Sequence, residues 1–90
     1  MKIDLQINNT ARKYGYIVWA QKRDSHMESL LRNAEEIDVW FEGEFLGTKN
    51  VDWKRRRIYL GYARTRSLPL SVNTFALTVR PNGGLTVRCH

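Results

Sequence analysis

The chain has 90 residues, a formal charge of +6, 42% hydrophobic and 11% aromatic residues, and a single cysteine, Cys89. That length bounds it to one compact domain, residues 1–90, with a thin core that takes about 60–65% of the surface the unfolded chain exposes. The same quantities exclude a disordered low-complexity chain, an internally disulfide-stapled scaffold and a helix-spanned membrane protein, because no apolar run approaches the roughly 20 residues a bilayer requires.

The opening "MKIDLQINNT" has charges and amides where a signal peptide carries an apolar run, so a cytoplasmic protein is expected. Within it "KIDLQI" alternates Ile3, Leu5 and Ile7 with polar residues, the period of a half-buried strand. "NNTARKYG" reads as a polar loop. "YIVW" at 16–19 is β-branched and aromatic without a polar member, which predicts a central strand covered on both faces. "DSHMESLLRNAEE" is the one predicted helix. Ser25 and Glu28 have capping-box spacing, and Met27, Leu30, Leu31 and Ala34 make one apolar stripe.

The remainder reads as strands. "IDVWFE" places Ile37, Val39 and Phe41 on one face and Asp38, Trp40 and Glu42 on the other. Glu42-Gly43 predicts a tight turn into "EFLGTKNV". A strand is expected over about 55–62, then a loop "RTRSLPLS", because Pro69 cannot donate to a ladder. "NTFALTVR" and "LTVRC" flank "PNGG" as a hairpin with positive φ expected at Asn82 and Gly83, and Phe75, Leu77 and Val79 share one face matched by Leu85, Val87 and Cys89. The expected class is α+β: a single short helix on a mostly antiparallel sheet of about five to seven strands, long enough for so short a chain to curl into a partial barrel.

Charge is unevenly distributed. Residues 35–48 hold five acids and no base, whereas 49–66 hold seven bases and one acid. This asymmetry points to an anionic partner, most often RNA or DNA. On a strand over 55–62, Ile58, Leu60 and Tyr62 would face inward. Trp53, Arg55, Arg57 and Tyr59 would alternate along the outer face, with Arg64 and Arg66 just beyond. Rings that stack on bases and guanidinium groups that hold phosphates are the equipment of single-strand binders, so these six residues form the expected nucleic-acid-binding site, with weak sequence specificity. The competing structural reading pairs Arg55 and Arg57 with Asp38 and Glu42 across neighbouring strands. It also turns Trp53 inward as core.

Other chemistry finds little support. Cys89 and His90 are adjacent and His26 is distant in sequence, so no zinc set is expected. The run "DSH" at 24–26 is explained by capping, and no glycine-rich loop precedes a helix. No catalytic residue, metal or cofactor is assigned. Two alternatives stand beside nucleic-acid binding. One is a protein-interaction module contacting its partner through Trp40 and the 64–70 loop. The other is a metal-free, toxin-like ribonuclease using Arg57, Tyr59, Arg64, Arg66, Arg88 and His90.

Overall fold

A computed structural model describes residues 1–90. The strands are β1 (Lys2–Gln6), β2 (Tyr16–Val18), β3 (Glu36–Phe41), β4 (Glu44–Asp52), β5 (Arg57–Tyr59), β6 (Thr74–Val79) and β7 (Leu85–Cys89). Three short helices lie among them: α1 (Asn9–Tyr14), α2 (Asp24–Leu31) and α3 (Tyr62–Arg66). The fold is α+β, as the sequence predicts, with three helices where one is expected.

The seven strands make one sheet in the order β1-β6-β7-β3-β4-β5-β2. Every neighbouring pair is antiparallel except β3 with β7. The sheet curls into a nearly closed barrel, and its end strands β1 and β2 line opposite walls of one cleft. This corrects the central position expected for "YIVW". β2 is an edge strand, in which Ile17 is fully buried while Tyr16 and Val18 are only half-buried. Trp19, just past the strand, enters the core.

Alternation places the predicted faces correctly elsewhere. Ile3, Leu5 and Ile7, then Ile37, Val39 and Phe41, then Phe75, Leu77, Leu85 and Val87 all point into one apolar cluster. Helix α2 packs against β1 and β6 and adds Met27, Leu30 and Leu31. Each such side chain contributes about 1.5–3 kcal/mol on burial. The capping box does not form. A 3-10 turn at Gln21–Arg23 runs straight into α2, so Ser25 lies inside the helix, and Asp24 supplies the acid of the first turn. The helix stops at Leu31 because Arg32 and Asn33 take positive φ, 54° and 56°. Ala34 therefore leaves the apolar stripe.

The turns show which backbone demands the sequence met. Glu42 and Gly43 both have positive φ, 49° and 86°, and join β3 to β4 as a two-residue hairpin. In the β6–β7 hairpin only Gly83 is positive, contrary to the expectation for Asn82. The loop is longer and closed by Arg80 N–H donating to the Gly84 carbonyl at 2.7 Å.

Two segments differ from their expected conformation, and both shape the basic end of the molecule. "NNTARKYG" is a helix: the Asn8 side chain accepts from Ala11 N–H at 2.7 Å, and Gly15 ends it at φ 83°. The strand expected over 55–62 is only three residues long. Residues 53–56 form the turn between β4 and β5, with Arg56 at φ 56°, and α3 begins at Tyr62. The Asp52 side chain holds that turn by accepting from Arg55 N–H at 2.9 Å, a role for which Asp is favoured at the first position of a turn.

Candidate functional site

Because 53–56 is a turn, the expected line Trp53-Arg55-Arg57-Tyr59 is broken. Trp53 turns inward: its indole N–H donates to the Ala34 carbonyl at 2.8 Å, and its ring meets that of Trp19 edge-on at 5.6 Å. Arg56 is drawn the same way, its Nε donating to both carboxylate oxygens of Asp24 at 3.0 and 3.1 Å. Arg55, Arg57 and Tyr59 remain on the outer surface. Tyr62, expected inward, is 54% exposed at the start of α3.

A surface with aromatic rings and bases does form, around a different set of residues. Tyr16 of β2 and Tyr59 of β5 are cross-strand partners, and their rings meet edge-on with centroids 5.3 Å apart. The Arg57 guanidinium lies 4.3 Å from the Tyr16 centroid, and Lys49 Nζ lies 6.0 Å from that of Tyr59. At the helices, Lys13 Nζ is 5.3 Å from the Tyr14 centroid, and the Arg66 guanidinium is 4.9 Å from that of Tyr62. All four tyrosines of the chain thus carry a base beside the ring or, for Tyr16 and Tyr59, also each other. A recess of about 480 Å³ between α1 and the outer faces of β2 and β5 is lined by Thr10, Tyr14, Tyr16, Val18, Arg55 and Arg57.

Helices α1 and α3 are pinned together, which fixes the tyrosines they carry. The buried Thr65 hydroxyl donates to the Arg12 carbonyl at 2.6 Å, and Arg66 Nε donates to the Lys13 carbonyl at 2.9 Å. Arg12 in turn reaches the carbonyls of Leu68, Pro69 and Val72, tying down the segment after α3. A Cβ on Gly15 would lie 2.3 Å from the Tyr62 nitrogen, so only glycine permits this close approach of the two helices.

The electrostatics centre on Asp52, the one acid among residues 49–66. Its Oδ2 lies 3.3 Å from Arg55 Nη1 and 3.7 Å from Arg57 Nε. The Arg55 backbone N–H, with both guanidinium groups behind it, holds the carboxyl below the usual range, so it stays ionised. Asp38 and Glu42 are not the partners of these arginines, because β3 does not border β5. Asp38 accepts from the Thr48 hydroxyl, and Glu42 accepts from Cys89 N–H and lies 4.0 Å from Arg88. Arg64 is bound by Glu44 at 2.9 Å. Lys13, Lys49, Lys54 and Arg66 have no carboxylate within ion-pair distance.

The remaining candidates are scattered. Arg88 and the adjoining His90 lie at the β7 end, separated from Arg57 and Tyr59 on β5 by β3 and β4, so the ribonuclease set is not brought together. Trp40 lies on the outer face of β3 between Phe45, with centroids 4.7 Å apart, and the Arg80 guanidinium at 4.1 Å. No three His, Cys, Asp or Glu side chains converge as a metal site would require, and no helix is long and apolar enough to cross a membrane. Tyr14, Tyr16 and Lys13 escape the sequence reading because α1 reads as loop and "YIVW" as fully covered, and Lys49 escapes it because no local pattern shows that β4 borders β5. The flanking Asn8 and Gly15, a cap at each end of a six-residue segment, were the available signal. Comparison with protein-family models, curated proteins and solved structures gives no match.

Proposed function

We propose that the chain binds single-stranded nucleic acid on the outer surface of β2 and β5 and the adjoining helix α1. The observation that carries this reading is the convergence of Tyr14, Tyr16, Tyr59 and Tyr62, each beside a Lys, an Arg or another ring, in a region whose acids are Asp52 and Glu44 alone. Bases stack on exposed rings for about 1–3 kcal/mol each, and bases of the protein neutralise the phosphates between them. Stacking does not distinguish one base from another, so sequence preference is weak. Arg55, Arg57 and Tyr59 keep the roles expected of them, Arg66 extends the track, and Tyr14 and Tyr16 take the place of Trp53. A lone, partly buried cysteine suits a reducing compartment, which supports the cytoplasm as the setting.

The test compares wild type with an Arg57→Ala, Tyr59→Ala double variant by anisotropy of labelled oligouridine and oligothymidine of about twelve nucleotides, within the span small single-strand binders cover. Both positions are on the outer surface, so the variant is expected to fold. Its affinity should fall at least tenfold, in line with the loss of about 1–3 kcal/mol per stacked base. A folded double variant that binds as wild type does would overturn the assignment. Gel analysis of the same RNA reports any cleavage.

A protein-contact surface at Trp40 is the second reading, favoured by the grouping of its half-buried ring with Phe45 and Arg80 on the outer face of the sheet. A complex of fixed stoichiometry that survives high salt and is lost in Trp40→Ala distinguishes it from binding to nucleic acid.

A further inference from the structure

The cleft between the two end strands shares only β2 with the tyrosine surface. Ladder hydrogen bonds of an antiparallel pair alternate along each strand. Ile7 N–H donates to the Asn73 carbonyl, so Ile3, Leu5 and Ile7 turn their backbone toward β6, while Asp4 and Gln6 turn theirs away. On the other wall Trp19 N–H donates to the Arg56 carbonyl, and Gly15 accepts from Leu60. Ile17 therefore faces β5, and Tyr16 and Val18 face outward. Neither outward row has a strand beside it.

Asp4 and Gln6 of one row and Val18 of the other border the same cavity of about 360 Å³, whose apolar lining includes Leu5, Val18 and Trp19 and whose rim carries Lys22 and Arg23. Neither of those two bases is in an ion pair, whereas Asp4 on the same rim lies 3.9 Å from Lys2. Regularly spaced N–H and C=O groups on facing edges match one kind of ligand, an extended polypeptide backbone. Phosphate fits poorly, because half of the exposed groups are carbonyl acceptors that would repel it. β1 and β2 run in opposite directions, so an inserted strand is antiparallel to one and parallel to the other, as β3 already is to its neighbours β4 and β7.

We propose that the cleft between β1 and β2 takes an acidic, extended segment of a partner protein as an eighth strand that closes the barrel. Alternate side chains of the segment enter toward Leu5 and Trp19. The acidic ones between them face Lys22 and Arg23.

The experiment measures residue-resolved amide exchange by NMR on the wild-type chain, with and without an end-capped Glu-Val-Glu-Val-Glu-Val-Glu peptide. The amides of Asp4, Gln6, Tyr16 and Val18 should slow about tenfold when the peptide is at about ten times its Kd. The same peptide with Lys for Glu should leave them unchanged. Gln6→Pro removes an outward N–H without touching the ladder to β6, so the variant should fold normally and lose protection along β1. Unchanged exchange in the wild type, equal protection from the Lys peptide, or full protection in folded Gln6→Pro would each overturn the proposal.

Discussion

Asp24 accepts hydrogen bonds from Trp19 Nε1–H at 2.9 Å and from Arg56 Nε, joining the start of α2 to the β4–β5 turn 32 residues away. Asp24→Ala strips both donors of their partner and should cost about 1.5–3 kcal/mol in urea unfolding, the range for bonds to a charged group. Cys89 makes a prediction of the opposite sense. Burial, with Glu42 close by, pushes its thiol up to about 12. The folded state thus holds that proton more tightly than the unfolded chain. The associated stability is complete at neutral pH and is lost as pH rises from the ordinary thiol range toward that value. Alkylation by iodoacetamide at pH 8 should be roughly a hundredfold slower in the folded than in the urea-unfolded protein, since the thiolate is the reactive form. Asp52 supplies a gain-of-function test. Asp52→Asn keeps an oxygen to accept from Arg55 N–H but releases Arg55 and Arg57 from the carboxylate. Binding to labelled single strands should tighten, with a salt slope steeper by up to about 0.7 per additional phosphate neutralised.

Among the elements, those legible in the sequence are those whose side-chain period was uninterrupted. β1, β3, β6 and β7 are readable because each alternates long enough to declare its inner face, and the residues so declared are in the core or packed on it, whereas β4 is legible only through the Glu42-Gly43 turn that precedes it. The stretch over 55–62 has the same alternation in Ile58, Leu60 and Tyr62, but the pattern spans a turn end, a three-residue strand and a helix start. Local capping decided there: Asp52 closes the turn and Arg56 takes positive φ. Pairing partners were the least legible feature. Arg64 finds Glu44 twenty residues back, and β7 finds β3 in parallel, contacts that no local pattern specifies. Gly15 shows how strongly such a meeting constrains one residue. Its φ of 83° alone costs an alanine about 1–2 kcal/mol, and the clash with the Tyr62 backbone adds to it. Gly15→Ala should therefore lower the melting temperature far more than Gly43→Ala, whose added Cβ meets nothing within 4 Å.

Taken as a whole, the molecule separates its charge from its core rather than burying it: Thr65 is the one buried polar side chain, and no buried side-chain nitrogen or oxygen lacks a hydrogen bond. The excess of +6 is concentrated at the end where α1, α3, β2 and β5 meet. Arg55, Arg57 and Arg64 there are occupied by Asp52 and Glu44, Arg12 is held by backbone carbonyls, and Lys13, Lys49, Lys54 and Arg66 have no carboxylate partner. The sequence made this end conspicuous through charge. It concealed the tyrosines' arrangement, because Tyr14 and Tyr16 reach Tyr59 only through the β2–β5 pairing. The central claim, that this end is a phosphate and base track, is tested most directly by the salt dependence of binding. Anisotropy of labelled oligouridine measured from low to moderate salt should give an affinity that falls linearly on logarithmic axes, with a slope of roughly −2 to −3 for three or four phosphate contacts on a single strand. Absence of binding at low salt, or an affinity indifferent to salt, would contradict it.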